Sequence, residues 1–247
     1  MKDTKHFQVT SAGLHILAMI FMLCDHLWGT IIPGNDWLTC IGRLAFPIFA
    51  FLLVEGYFHT KNLKKYALRL LLFALLSEVP FNLAMGSQLF YPIHQNVLWS
   101  FLISLGLIHL NERANGSGKL WLRILTGCAS ILLACVLGLI TMADYHHAGI
   151  LTVLVFYFFR GRKWWQLLGQ LLGLWYLNVE VLSGFTYEFQ FLGTTVSLVR
   201  QGFALLALVP IWLYRGKQGH HSKAFQYLCY SFYPVHLLIL AILKFFI

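Results

Sequence analysis

The sequence predicts an all-α, polytopic integral membrane protein with about nine transmembrane helices, formed by a single domain over residues 1–247. Hydrophobic residues make up 59% of the 247 residues and charged residues only 11%, whereas a soluble domain carries about 25% charged residues. The mean hydropathy is +0.70. The apolar residues also fall into runs close to the roughly 20 residues that a bilayer requires.

Nine apolar segments are predicted to span the membrane, and the fourth and sixth are shorter than the others. The strongest interruptions between them are residues 33–36, 111–119 and 215–223. No small-residue cleavage site follows the first segment, so we expect it to be retained as a helix rather than removed as a signal peptide. The predicted spans are 11–32, 38–58, 66–86, 96–111, 120–141, 147–160, 164–182, 196–214 and 224–246.

The basic residues alternate between successive loops, and this alternation predicts the orientation. Lysines and arginines cluster before span one and between spans two and three, four and five, six and seven, and eight and nine. The other loops carry almost none. Because cytoplasmic loops are enriched in Lys and Arg, we expect the N-terminus inside and the C-terminus outside. The basic residues of the cytoplasmic loops then explain the net charge of +9, and no nucleic-acid partner is predicted.

Asp25 and His26 are unusual because they lie together inside the apolar run of span one. They fall near its outer end, and Arg43 falls at a similar depth at the outer start of span two. An Asp25–Arg43 contact would offset the cost of both charges in lipid. Neighbouring helical residues point about 100° apart, so we expect Asp25 to hold Arg43 while His26 faces a cavity. His236, about midway along span nine, is also expected to be functional.

Further polar residues converge on the outer half of the predicted bundle. Glu78 and Asn82 share one helical face because they are four residues apart. Asn96 begins span four, and Tyr145 lies in an outer loop. For the amides alone, a hydrogen bond between helices is the more common explanation.

These residue types favour acid–base chemistry and leave three classes of function open. A neutral imidazole is a general base near pH 7, and a basic inner mouth suits a phosphorylated donor such as an acyl coenzyme A. A proton-coupled secondary transporter or flippase would use the same residue types, although we find no internal repeat of the kind common in transporters. A structural membrane subunit would tolerate apolar replacement of the charged residues. The five cysteines form no C-x-x-C, and no metal site is predicted.

The chain resembles the TraX family of bacterial inner-membrane proteins over nearly its whole length. The most specific part is the D-H of LCDH in span one, followed by GRLAFPIFAFLLVEG at residues 42–56. These motifs are most similar to those of a chromosomal branch of the family found in Gram-positive bacteria. Further matching blocks are FALLSEVPFNL at residues 73–83, Asn96, DYHHAG at 144–149, QGFALLALVP at 201–210 and YPVHLLIL at 233–240.

The resemblance implies an enzyme that moves an acetyl group from cytosolic acetyl-CoA to an acceptor across the bacterial cytoplasmic membrane. The family is named for a conjugative-plasmid protein that acetylates the amino terminus of the F-type pilin subunit. An amine acceptor is therefore more expected than a hydroxyl. The acceptor itself stays open between a peptide or protein amino terminus, a glycan and a small amine, and the oligomeric state is not predicted.

The resemblance, combined with the depth and charge of the residues themselves, suggests roles for individual residues. His26 is the expected general base, with Asp25 supporting it or pairing with Arg43, and His236 is a second base or a thioester ligand. The acceptor or the developing oxyanion is expected near Asn96, Tyr145, Glu78 and Asn82. The phosphates of acetyl-CoA are expected at the inner mouth, near Lys61, Lys65, Arg69, Arg162 and Arg215. After Tyr145 the family usually has Gly, where this chain has His146, a change that would alter the acceptor pocket.

Overall fold

Long apolar helices build most of the structure, a computed structural model that describes residues 8–191, 193–220 and 222–246. Within these residues, five helices are long and apolar enough to cross a membrane, and large aliphatic side chains such as Leu120 and Leu132 are exposed on their surfaces. Such surfaces are stable against lipid, so the chain is a membrane protein. The five are Ser11–Thr30, Asp36–His59, Leu63–Gly86, Leu120–Ile140 and Lys223–Phe246.

The helices and strands follow one another in a simple order. The α-helices are α1 (Ser11–Thr30), α2 (Asp36–Gly42), α3 (Ala45–His59), α4 (Leu63–Phe81), α5 (Leu98–Gly116), α6 (Leu120–Ile140), α7 (His146–Phe158), α8 (Trp164–Trp175), α9 (Leu208–Leu213) and α10 (Lys223–Phe246). A π-helical turn extends α4 over Asn82–Gly86 and another extends α8 over Tyr176–Val181, while a 3₁₀ helix over Arg200–Ala207 leads into α9. The two strands are β1 (Thr186–Phe191) and β2 (Thr194–Val199).

The β-hairpin corrects the expectation of an all-α protein. β1 and β2 pair antiparallel, with Thr186 opposite Val199. β-Branched and aromatic residues dominate both strands and favour this conformation. The predicted span over 196–214 therefore begins too early, because helical structure starts only at Arg200.

Two interruptions explain other departures from the predicted spans. The second predicted span is divided into α2 and α3 at Arg43 and Leu44. In α4, Pro80 lacks the backbone N–H that an α-helix interior needs, and the helix widens into a π turn two residues later. In addition, α5 continues to Gly116, five residues beyond the predicted end of span four.

A fully buried part of the core lies between α3 and α7. Ile48 and Ala50 on α3, and Ile150 and Val153 on α7, are fully buried. Elsewhere in the bundle, α1 packs against α2, α3 and α10, and α4 packs against α5 and α10.

The helices alternate in direction between two ends of the bundle. The upper end holds the end of α1 and the starts of α2, α5 and α7, and a bridge between Gln95 and Ala143 joins two of its loops. The lower end holds the start of α1 and the ends of α3 and α7. There the backbone N–H of Ser11 donates to the carbonyl of Lys217 at 2.9 Å.

Gly42 allows α2 to approach α1 closely beside Asp25. A Cβ on Gly42 would lie 2.8 Å from the Asp25 Cα and 2.7 Å from its Oδ1. Real Cβ atoms do not approach backbone atoms this closely, so any larger residue would push the two helices apart.

We predict that Gly42→Ala destabilises the protein. Overpacking a close contact costs about 1–3 kcal/mol, so the midpoint of thermal unfolding in detergent should fall by several degrees. Gly106→Ala in α5 is the matched control, because a Cβ there meets open space and Ala favours a helix over Gly. An equal fall in both variants would contradict the close-contact explanation.

Candidate functional site

His26 on α1 and His236 on α10 form the centre of the candidate site. Nδ1 of His26 lies 2.6 Å from Nε2 of His236. The ring planes differ by only 4° and the ring centroids are 4.9 Å apart, which with so short an N–N distance means that the rings meet edge to edge. The sequence predicted a function for each histidine separately, and the structure brings them into direct contact.

The hydrogen bonds decide which ring nitrogens carry a proton in the neutral pair. Nδ1 of His236 lies 2.6 Å from the backbone carbonyl of Phe232, and because a carbonyl only accepts, this nitrogen donates. Nε2 of His236 then holds a lone pair and accepts from Nδ1 of His26. The nitrogen that remains, Nε2 of His26, is the free basic nitrogen of the pair.

Asp25 and Arg43 form the ion pair that the sequence predicted, and this contact is confirmed. Nη2 of Arg43 donates to Oδ1 of Asp25 at 2.6 Å. Thr39 lies between them, donating its hydroxyl to the same carboxylate oxygen at 2.7 Å and accepting from Nη2 of Arg43 at 2.9 Å. Both charged side chains are only 17% exposed, so these bonds offset the loss of hydration.

A chain of amide groups holds the other side of Arg43. Nη1 donates to Oε1 of Gln201 at 3.3 Å, and Nε2 of Gln201 donates to Oδ1 of Asn178 at 3.0 Å. Asn178 donates in turn to the backbone carbonyl of Leu174 at 2.8 Å. The π-helical turn after α8 and the 3₁₀ helix therefore take part in orienting Arg43.

A cavity of about 400 Å³ opens at the upper end beside this arrangement. Asp25, His26, Arg43 and Tyr145 are among the side chains that line it. His236 is absent from the described residues that line the cavity, so it contacts His26 on the side that faces away from the cavity. The cavity thus presents one half of the histidine pair to a ligand.

Tyr145 enters the cavity wall from a strained turn. It has φ 63° and His146 has φ 46°, a left-handed conformation that is rare for bulky residues and favours glycine. The tyrosine ring stacks on Phe46, with the centroids 4.3 Å apart. Glycine would adopt such a backbone without strain, and here His146 adopts it at an energetic cost.

Glu78, Asn82 and Asn96 lie outside the cavity lining, although the sequence predicted them near the acceptor. The amide of Asn96 donates to the carboxylate of Glu78 and, at 2.9 Å, to the backbone carbonyl of Ala74. Asn96 is fully buried. Asn82 donates to the carbonyl of Leu89 at 3.4 Å. In this structure their polar groups join α4 to α5 and to the loop that follows α4.

The basic residues predicted to hold coenzyme A lie towards the lower end, and they differ in their contacts. Arg162 is already engaged, because its two terminal nitrogens each donate at 2.6 Å, one to the carbonyl of Tyr214 and one to that of Trp212. Arg69 lies over the ring of Tyr230, 5.8 Å from its centroid. Lys61, Lys65 and Arg215 are exposed.

Several cavity residues, His94 and Arg200 among them, were not predicted as site residues. The loop bridge at Gln95 brings His94 to Asp144, where Nε2 lies 3.4 Å from the carboxylate. Nothing local in the sequence marks His94, because its position depends on the pairing of two loops far apart in the chain.

These features define a class, a helical membrane protein in which a histidine pair and an ion pair flank a polar cavity at one end. The family described as TraX protein matches residues 10–244. The chain belongs to the TraX family. It is also 28% identical, over an alignment of 259 residues covering 99% of both chains, to "Probable fimbrial assembly protein FimC, serogroup H1" of Dichelobacter nodosus. No solved structure matches the chain.

We predict that Arg43→Met is strongly destabilising and that a second change partly compensates for it. The single variant leaves a buried carboxylate without its cation, which costs about 3 kcal/mol or more. In Asp25→Asn/Arg43→Met that charge is also gone, so the double variant should be more stable than the sum of the two single effects. Unfolding free energies of all four proteins test this coupling, and strictly additive effects would contradict it.

We predict a pH dependence for the His94–Asp144 contact, which lies in loops outside the membrane spans. The hydrogen bond to Asp144 raises the pKa of His94 above its ordinary value of 6.5. The added stability is therefore fully present below pH 6.5 and is lost as the pH rises through the folded-state pKa. His94→Gln should lower the melting temperature more at pH 5.5 than at pH 8.5. An equal decrease at both pH values would exclude the ionic contribution.

Proposed function

We propose that this protein is a transmembrane acetyltransferase that transfers the acetyl group of cytosolic acetyl-CoA to an amine acceptor at the extracytoplasmic side, with His26 as general base. One observation carries the proposal most directly. The hydrogen bonds from His26 to His236 and from His236 to the Phe232 carbonyl leave Nε2 of His26 unprotonated in the neutral pair. That side chain lines a cavity large enough for a small acceptor group.

His26 would carry the proton through the reaction. As the acceptor nitrogen attacks the thioester carbonyl, Nε2 of His26 takes the proton that the nitrogen loses. The bond between the carbonyl carbon and sulfur then breaks, and His26 returns the proton to the coenzyme A thiolate. The products are an N-acetylated acceptor and coenzyme A. A hydroxyl acceptor would follow the same proton transfers.

His236 would act as a positioning residue rather than as a second base. Its Nε2 accepts from Nδ1 of His26, and so it orients the ring and stabilises the imidazolium that forms on proton uptake. The geometry resembles the support that a buried carboxylate gives to a catalytic histidine. Its own Nδ1–H stays with the Phe232 carbonyl.

Tyr145 and Arg43 are the candidates for the oxyanion that forms on the thioester carbonyl. Both line the cavity, and hydrogen-bond donors aimed at developing charge are a major source of catalysis. Arg43 is already held by Asp25, Thr39 and Gln201. The hydroxyl of Tyr145 is therefore the donor with more freedom to turn towards a substrate.

The number of membrane spans and their orientation are part of the same proposal. We infer nine spans in the bacterial cytoplasmic membrane, with the lower end in the cytoplasm. The basic loops after α3, α7 and α9 support this orientation, because all three lie at the lower end. Some segments, including α5, α7 and α8, are too short or too polar to be identified as membrane spans by length and hydropathy. They would cross the membrane within the bundle, beside the five long helices.

Donor and acceptor would then approach from opposite ends. Coenzyme A phosphates would meet Lys61, Lys65, Arg69 and Arg215, whereas Arg162 mainly holds the end of α9. The acceptor would enter the upper cavity. The fimbrial assembly role in the name of the Dichelobacter nodosus relative supports a protein amino terminus among the possible acceptors.

The proposal predicts that His26→Ala abolishes acetyl transfer. Purified protein in nanodiscs would receive labelled acetyl-CoA and a panel of peptide and small-molecule amines. His236→Gln should retain measurable transfer, because a general base contributes about 10²–10⁴-fold and this variant removes only its orientation. Label retained on the protein without acceptor would indicate an acetyl-histidine intermediate.

Trp121→Ala, on the exposed surface of α6, serves as a control for handling and reconstitution. A wild-type protein that neither binds nor hydrolyses acetyl-CoA would contradict the enzymatic proposal. Substrate flux into proteoliposomes that follows a pH gradient and needs no coenzyme A would instead support a transporter.

A further inference from the structure

Arg200 is a cation of the upper cavity that forms no salt bridge with a carboxylate among the described residues. Among the described residues, the carboxylates within 4.0 Å of a cationic nitrogen contact Arg43, His59, His94 and Arg160, but none contacts Arg200. The arginine lines the same cavity as His26. A site for an anionic group is therefore available beside the proposed base.

Two aromatic rings hold the guanidinium in place. The Cζ atom of Arg200 lies 4.7 Å from the centroid of Trp28 and 5.3 Å from that of Phe185. Contacts with aromatic rings use the faces of a guanidinium and leave its N–H edge available for a ligand. Trp28 is itself anchored, because its indole N–H donates to Asp36 at 3.2 Å.

The β-hairpin fixes the backbone on which this arginine is presented. The N–H of Arg200 donates to the carbonyl of Phe185 at 2.9 Å, directly beyond the paired residues Thr186 and Val199. The hairpin thus ends where the cavity opens. Trp28 lies only two residues after His26 on α1, and Gln201 contacts Arg43, so the arginine is close to the catalytic arrangement.

We propose that Arg200 binds a carboxylate or phosphate carried by the acceptor, and that the acceptor is an amine with an anionic group close to the reacting nitrogen. The proposal rests on the proposed function for the identity of the reacting nitrogen, but the binding of the anion does not depend on catalysis. A planar guanidinium with a free edge suits bidentate binding of either anion.

The test measures peptide binding to the full-length protein in neutral detergent, without acetyl-CoA. Calorimetric titration would compare Ala-Asp-Ala-amide and Ala-phosphoserine-Ala-amide with the uncharged Ala-Asn-Ala-amide. The wild type should bind both anionic peptides about tenfold more tightly than the neutral one. Arg200→Gln should remove this preference without weakening binding of the neutral peptide, while Arg200→Lys should keep part of it.

Arg123→Gln is the matched control, because it removes the same charge at the lower end of the bundle. It should keep the wild-type preference. The proposal is overturned if the wild type shows no preference for the anionic peptides, if Arg200→Gln retains the preference, or if Arg123→Gln also loses it.

A second arm separates an acceptor from an anionic lipid headgroup. The titrations are repeated in nanodiscs of phosphatidylcholine with and without phosphatidylglycerol. A preference that survives the anionic lipid supports an acceptor site, and one that disappears shows that headgroups occupy Arg200 and overturns the assignment. His26→Ala should keep the preference, so a protein that binds anionic peptides but transfers no acetyl group would refute only the proposed activity.

Discussion

The ion pair between Asp25 and Arg43 is the interaction on which the arrangement of the upper end depends. Neither charge would be stable alone inside an apolar bundle, so their contact determines how α1 faces α2. The next residue, His26, then points about 100° away around the helix. That direction faces α10 and brings the imidazole to His236. A structural ion pair thereby sets the orientation of the proposed base.

The same interaction explains why so many polar groups gather around Arg43. A guanidinium has five N–H donors, and each one that is left without an acceptor in a low-dielectric interior costs free energy. Asp25, Thr39 and Gln201 satisfy several of them. Gln201 is satisfied in turn by Asn178, which couples the irregular helical turns near the cavity to the ion pair. Packing at Gly42 keeps the first two helices close enough for the network to form.

The depth of polar residues along apolar runs was the part of the site that the sequence could predict. Each run crosses a layer of nearly fixed thickness, so position in the run gives approximate depth, and the Asp25–Arg43 contact followed. The pairing of His26 with His236 did not follow, because the lateral order of helices in a bundle leaves no local pattern. The same limit applies to His94, which reaches the cavity through a loop-to-loop bridge. Hydropathy also concealed the β-hairpin, whose second strand is apolar enough to be read as the start of a span.

The location of the histidine pair limits how a donor could reach it under the proposed function. His26 lies only four residues from the upper end of α1 and about 22 Å along the helix from its lower end. Between the two ends, Ile48 on α3 and Val153 on α7 are fully buried. Below the histidines, Leu14 and Ala18 on α1 are fully buried as well, and His15 lies on nearly the same face of α1 as His26. Under the proposed function, a thioester arm that starts at the basic lower end would therefore have to pass between packed helices over most of the length of α1.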